Sequence, residues 1–214
     1  HPEFSRCLEL LEGSDLLETI HDGRFACSDT CISVFNNFHY TIYVPTNESI
    51  DALIAAKKLP TWDDVAVLDT LSGEQKEKAQ LYTRQMNEFL RYHIQDHAVA
   101  VNMAADVFDV DANDNKIPVY KNAYESMKRN PETGRFFPLE VDFSGDQMTI
   151  KDVTGQERHV NKTEGLYNQI CSEHWFEGSG NSATIFMASD VVVHQSDGPL
   201  LYEKLTPWRD IIKK

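Results

Sequence analysis

Apolar residues recur at helical spacing in the first half of this chain and alternate with polar ones through much of the second. Leu8, Leu11, Leu16 and Ile20 can share one face, which predicts a helix from Ser5 to Ile20 with Gly13-Ser14-Asp15 as its weak point. From Asp22 to Asn37 the pattern lapses into a loop with a short apolar stretch. Ile42 and Val44 then alternate with Thr41 and Tyr43, the period of a half-buried strand, and Pro45, which has no backbone donor, ends it at Val44. Either Thr46 or Asn47 can cap the helix that follows by accepting an orphan N–H, with Ser49, Ile50, Leu53 and Ile54 opening its inner face toward Lys57. Trp62, Val65, Leu68 and Leu71 continue a helical spacing. Ala79, Tyr82, Met86, Phe89, Leu90 and His93 then mark a long amphipathic helix over Glu74 to His93.

Past that helix the period shortens to that of strands. Pro138 to Phe143, Met148 to Val153, Glu157 to Val160, Ala183 to Met187 and Asp190 to His194 read as strands, with Ser144-Gly145-Asp146 and Thr154-Gly155 as hairpin turns. Helices first and strands later predict an α+β fold. The 214 residues are expected to form one domain over 1–214, with polar, Gly- and Pro-interrupted insertions near 60–77 and 102–135 lying at the surface.

Composition narrows the classes of partner. With 34 acidic against 20 basic side chains the formal charge is −14, which gives phosphate backbones no electrostatic footprint, so nucleic acid is not an expected partner. The acidity reads as a solvated surface in preference to an acidic binding patch. No apolar run approaches the roughly 20 residues needed to cross a bilayer. The opening His1-Pro2-Glu3-Phe4, without Met, fits a mature chain or a piece of a longer protein.

Three segments resemble one known family. Tyr40-Thr-Ile-Tyr-Val-Pro-Thr-Asn47, a strand ending in Pro-Thr-Asn before a helix, resembles the first signature box of the fasciclin-like (FAS1) domain. Phe89-Leu-Arg-Tyr92-His93-Ile94 looks like that family's Tyr-His segment, and Ser189 to Gly198 is similar to its closing region. There Asp197-Gly198 leads into Pro199-Leu-Leu-Tyr-Glu203, where the family has a further strand. The resemblance implies a fasciclin-like fold, an N-terminal helical region followed by a β-rich wedge of two small sheets. It also implies a non-catalytic adhesion or binding module, secreted or at the cell surface, in a longer or lipid-anchored protein and with a protein or glycan partner. On that reading Tyr92 and His93 are partly packed beside an adhesive surface, and Leu90, Tyr92, His93 and Ile94 are the partner-binding residues.

Other chemistry competes with that role. His93 and His97, four apart, can face one metal ion from a helix, so a zinc-dependent hydrolase is the enzymatic alternative, with His159, His174 or an acidic residue as third ligand. A structural His93 is preferred, and no metal or cofactor is expected. Asp109-Val-Asp-Ala-Asn-Asp-Asn115 has oxygen donors at calcium-loop spacing, but Asp114 and Tyr120 stand where the loop needs Gly and Glu, which favours an Asx-rich turn. No Gly-x-Ser-x-Gly elbow, Walker loop or Gly-x-Gly-x-x-Gly is present, so an enzyme is not expected. Cys7, Cys27, Cys31 and Cys171 permit two disulfides, Cys7 pairing with Cys27 or Cys31, or four buried thiols. Asn161 is the credible N-glycosylation acceptor, since Asn47 lies within the signature box. Trp62, Trp175, Phe176 and Trp208 pack in a core, or stack on sugars in the manner of a surface glycan-binding component of a bacterial lipoprotein.

Overall fold

The structure is a computed structural model that describes residues 2–16, 39–70, 72–101, 108–110, 116–118, 123–144, 147–160, 166–177 and 185–205. In chain order its elements are α1 (Ser5–Glu12), β1 (His39–Pro45), α2 (Asn47–Ala55), α3 (Trp62–Asp69), α4 (Glu74–Tyr92), β2 (Ile94–Asp96), β3 (Phe108–Val110), β4 (Lys116–Pro118), β5 (Ala123–Arg129), β6 (Phe136–Ser144), β7 (Gln147–Lys151), β8 (Glu157–Val160), β9 (Gln169–Glu177) and β10 (Ile185–Ser196). The fold is α+β, as the change of period implies.

Eight strands form one sheet in the order β8-β7-β6-β5-β2-β1-β10-β9, and β3 pairs with β4 apart from it. β5 to β8 make an antiparallel meander, and β1 lies parallel to β10 with Ile42 opposite Val193 and Tyr43 opposite His194. The two halves of the sheet meet at a single residue pair, Gln95 opposite Ser126. So thin a seam lets the sheet bend, and the end of β10 returns to β8 through the Asp197 amide, which donates to the His159 carbonyl at 3.1 Å. Each face carries its own core. Leu10, Ile50, Met86, Phe89 and Leu90 of the helices pack with Ile94 and Met127 on one side, and Tyr43, Tyr92, Tyr124, Leu139, Val141 and Ile150 pack on the other.

β1 is therefore buried on both faces, not on one as its alternation suggests. Thr41 and Tyr43 are 0% exposed, because their polar tips are satisfied internally. The Thr41 hydroxyl donates to the His97 carbonyl at 2.8 Å and accepts from the Val99 amide at 2.9 Å, while the Tyr43 hydroxyl donates to Gln95 Oε1 at 2.7 Å. The ladder also runs one residue further than expected, to Pro45 opposite Ser196.

The turn into α2 is where the sequence predicts it, but its polar side chains work differently. Thr46 is the N-cap residue, yet neither its hydroxyl nor Asn47 caps α2; the Thr46 carbonyl accepts from Ser49 and Ile50. Asn47 reaches back to the opening helix instead. Its Oδ1 accepts the Arg6 amide at 2.9 Å, an orphan donor of the first turn of α1, and its Nδ2 donates to the Pro2 carbonyl and the Ser5 hydroxyl. One amide thus caps a helix more than forty positions away in sequence and fixes where α1 docks.

α1 ends at Glu12 with Gly13 as its C-cap, short of the expected Ile20, and residues 17–38 lie outside the described residues. A Cβ at Gly13 would sit 2.3 Å from the indole nitrogen of Trp62, so the close approach excludes a side chain there. That indole donates to the Leu10 carbonyl at 3.0 Å, which spends Trp62 on packing. Of the two stretches expected at the surface, 60–77 opens with a reciprocal cap, Thr61 Oγ1 accepting from Asp64 N–H while Asp64 Oδ2 accepts from Thr61 N–H, and Val65 packs on the helical core. The stretch 102–135 contains β5, an interior strand of the sheet with Tyr124, Ser126, Met127 and Lys128 buried, so 123–129 is not a surface segment. β2 and β9 are further strands that the periodicity does not mark, and β10 is one strand where two are expected.

Replacing Asn47 by Ala should lower unfolding stability by about 1–2 kcal/mol through the loss of an N–H cap and two donated bonds. Urea denaturation of the full chain measures it, and Thr46→Ala should change stability by less, because the bonds at Thr46 are made by its carbonyl.

Candidate functional site

The junction at the end of α4 brings together two of the three segments that carry the family resemblance, 40–47 and 89–94. Tyr92 is the last helical residue and His93 its C-cap. A helix end leaves carbonyls without intrahelical partners, and here the His93 carbonyl accepts the Tyr43 amide at 2.9 Å. Ile94 then starts β2 opposite Ile42, so the helix feeds into the sheet with no loop between them.

Each side chain of the junction faces a different neighbour. The Tyr92 hydroxyl accepts the Val153 amide at 3.0 Å and donates to the Pro138 carbonyl at 3.3 Å, and its ring meets Phe137 and Tyr202 edge-on, with centroids 6.2 and 5.9 Å away. Burial pushes its phenol well above the usual range. His93 Nε2 lies 2.9 Å from the Leu200 amide and must accept from it, so Nδ1 carries the proton that goes to the Phe89 carbonyl at 2.8 Å. Burial, opposed by the Phe89 bond and the nearby Asp152 charge and assisted by Arg158, lowers the His93 pKa to about 4. The ring is neutral at physiological pH. Leu90 and Ile94 belong to the helical-side core.

The expectation that Leu90, Tyr92, His93 and Ile94 form partner-contacting surface is corrected by their burial: at 5%, 0%, 3% and 3% exposure they offer a partner no side-chain surface. The reason lies in the helix itself. Its inner stripe carries these residues into the core, and the polar atoms of Tyr92 and His93 are needed there to satisfy backbone groups of three other segments.

The alternative zinc pairing has no shared helical face. The helix stops at Tyr92, so His93 and His97 are not on one helical face; His97 follows β2 with φ 68 and its Nδ1 lies 2.8 Å from Asp96 Oδ2. Both His93 nitrogens are engaged, and His159 pairs with Asp197 at 2.9 Å. His174 and Trp175 lie on β9, and Trp208 lies outside the described residues. Among the described residues no group of three or more His, Cys, Asp or Glu is arranged to hold a metal. Of the calcium-like run, Asp109 and Val110 end β3 and pair across to β4, while 111–115 lie outside the described residues, as do Cys27, Cys31 and Asn161. Cys7 is a free thiol against the helical core, pushed up to about 12 by burial.

Several residues of the junction are not marked by the sequence analysis. Asp152, buried after β7, accepts Thr154 N–H, Thr154 hydroxyl and Gln156 N–H on Oδ1 and the Leu201 amide on Oδ2. An Asp two residues before Thr-Gly is an Asx-turn signal that could have found the first three bonds, though not the fourth. Lys128 is buried because the β5 register shifts between Glu125 and Arg129, turning Ser126, Met127 and Lys128 inward together. Its ammonium meets Glu88 at 2.9 Å and stands 5.1 Å from the Tyr202 ring centroid. A lysine among strand residues gives no sign of that. His194 likewise uses both nitrogens, Nε2–H to the Val99 carbonyl and Nδ1 from the Asn168 amide, and burial lowers its pKa to about 4.

No protein-family model matches this chain, and no curated protein does either.

Tyr92→Phe should cost about 1–2 kcal/mol, since it leaves the Val153 amide and the Pro138 carbonyl without the shared hydroxyl. Denaturant melts give the cost, and faster amide exchange at Val153 locates it. Purified chain dialysed against micromolar zinc should hold well under one equivalent through His93; a bound equivalent whose loss follows His93→Gln would contradict the hydrogen-bond assignment.

Proposed function

We propose that this chain is a fasciclin-like module, non-catalytic, that works by adhesion to a protein or glycan partner outside the cell or at its surface, within a longer or lipid-anchored protein. The observation that carries the reading is the junction between the two resembling segments: β1 leaves the sheet at Pro45 and enters α2 at Asn47, and its Tyr43 amide is held by the carbonyl of His93 in the Tyr-His pair. A helical layer on one face and a sheet in two halves joined at Gln95 and Ser126 support the wedge that the resemblance implies.

On this reading the Tyr-His pair acts by positioning. Tyr92 holds the Val153 amide, Asp152 ties the rest of the 152–156 turn, and Val153 itself stands 40% exposed at its tip. Thr154, Gly155 and Gln156 are exposed beside it, so the turn offers a fixed apolar and polar surface. The partner contact is assigned to that turn.

Beads carrying the full chain, presented to cultured cells and to a glycan array, test the role. Saturable adhesion that Val153→Asp weakens at least tenfold with an unchanged melt is the expected result. Absence of saturable binding to both surfaces would overturn the adhesive reading, and full binding by Val153→Asp would move the contact elsewhere.

A further inference from the structure

The segment after β10 has no ladder of its own. Residues 197–205 carry no helix or strand, yet Pro199, Leu200, Tyr202 and Leu205 are buried. Side chains from other elements hold it. His159 of β8 gives its amide to Asp197 Oδ1 and pairs through Nδ1 with Oδ2, each at 2.9 Å. Arg158 Nε donates to the Pro199 carbonyl at 3.0 Å and lies so close to Gly198 that a Cβ there would meet it at 2.9 Å. His93 Nε2 accepts the Leu200 amide, and Asp152 Oδ2 accepts the Leu201 amide, both at 2.9 Å.

The seat of Leu200 depends on a free lone pair of His93. A proton on His93 Nε2 replaces the lone pair with an N–H that points at the Leu200 N–H, so the bond is lost and two donors oppose each other. We propose that residues 197–202 form an acid-released strap: protonation of His93 removes the acceptor that seats Leu200, and the segment swings out about Asp197 while the sheet stays folded. A segment seated by side-chain bonds, without ladder partners, opens at lower free energy than strands β6 and β7 do. Release uncovers Tyr92 and Phe137, whose rings now lie 5.9 and 6.3 Å from that of Tyr202.

The groups facing His93 set the direction. From the turn after β7, Asp152 favours the imidazolium; from β8, Arg158 opposes it; from α4, the Phe89 carbonyl favours it through Nδ1–H; and Tyr43 of β1, whose amide bonds the His93 carbonyl, carries neither carboxylate nor amine. Burial outweighs the rest and holds the seated His93 down to about 4, against 6.5 for an ordinary imidazole. The seated state therefore binds fewer protons than the released one. Its stability is fully present above about pH 6.5 and is lost as pH falls toward about 4, the opening equilibrium rising by up to about tenfold per pH unit between those limits. The proposal does not depend on an adhesive role.

Amide hydrogen exchange of the full chain, read from pH 7 to 4.5 and corrected for intrinsic rates, tests it. Leu200 and Leu201 should lose about 40-fold protection between pH 6.5 and 4.5, beyond any loss at Val141 and Ile150, and His93→Gln should remove that excess. Strap amides that follow Val141 and Ile150 at every pH, or an excess that survives in His93→Gln, would overturn it. Should His93→Gln not fold, the imidazole nitrogen shifts of His93 in the unaltered chain decide the matter: the change from the Nδ1–H form to imidazolium must coincide with the loss of Leu200 protection, and a mismatch overturns the strap.

Discussion

The hydrogen bond from the Tyr43 amide to the His93 carbonyl, 2.9 Å long, stands where the helical layer, the parallel strand pair and both halves of the sheet converge. A helix must end with carbonyls to satisfy, and an interior strand must place every amide. Here each need answers the other. Because α4 runs straight into β2, the position of that one carbonyl sets the register of Ile94 opposite Ile42, and β2 in turn carries Gln95 to the seam with Ser126. The Tyr92 hydroxyl extends the same constraint to the meander, through Pro138 and Val153. With one residue pair bridging the halves of the sheet, their relative placement falls largely to side chains anchored at this helix end.

Those side chains are polar and neutral. Tyr43, Gln95, Thr41, Asn168, His93 and His194 lie in or beside the interior with hydrogen bonds that are directional, unlike the contacts of leucines and valines around them. Apolar packing supplies most of the drive to fold, at about 25 cal/mol per Å² buried, but it does not choose one strand register over another with comparable burial. Asn168 illustrates the choice: its amide brackets Val101 by accepting from its N–H and donating to its carbonyl, and it does so from a positive φ of 47 that asparagine tolerates. Among the described residues, Asp152 and the Lys128–Glu88 pair are charged groups drawn inward and given partners.

Much of this frame is legible in the residue pattern, and the misses share a cause. Helical stripes are written in apolar residues that recur over several turns, so α4 and its inner face could be read, as could β6 to β8 from alternation and turn residues. The alternation in β1 implies a half-buried strand because Thr41 and Tyr43 count as polar, whereas their hydroxyls serve the interior. β5 was masked by a bulge that breaks its alternation, and β2 is three residues long, too short for a period. The candidate site was legible as a place but not as a role. Tyr92 and His93 stand out in the string Phe89 to Ile94; that they face inward follows from partners at Val153 and Leu200, more than sixty and one hundred positions away.

The closing segment joins these threads. Past the end of β10 this chain places Pro199, which has no N–H to give a ladder, and the amides that follow it must find acceptors elsewhere. They find them on side chains, Leu200 on His93 and Leu201 on Asp152. A ladder bond is made between backbone groups that do not titrate, whereas a bond to an imidazole lone pair lasts only while that lone pair is free of a proton. The proline at 199 and the titratable seat of Leu200 are thus one fact seen from two sides. The last buried stretch is thus held by the Tyr92–His93 junction and not by the sheet, and the same histidine that organises the fold is answerable for how it closes.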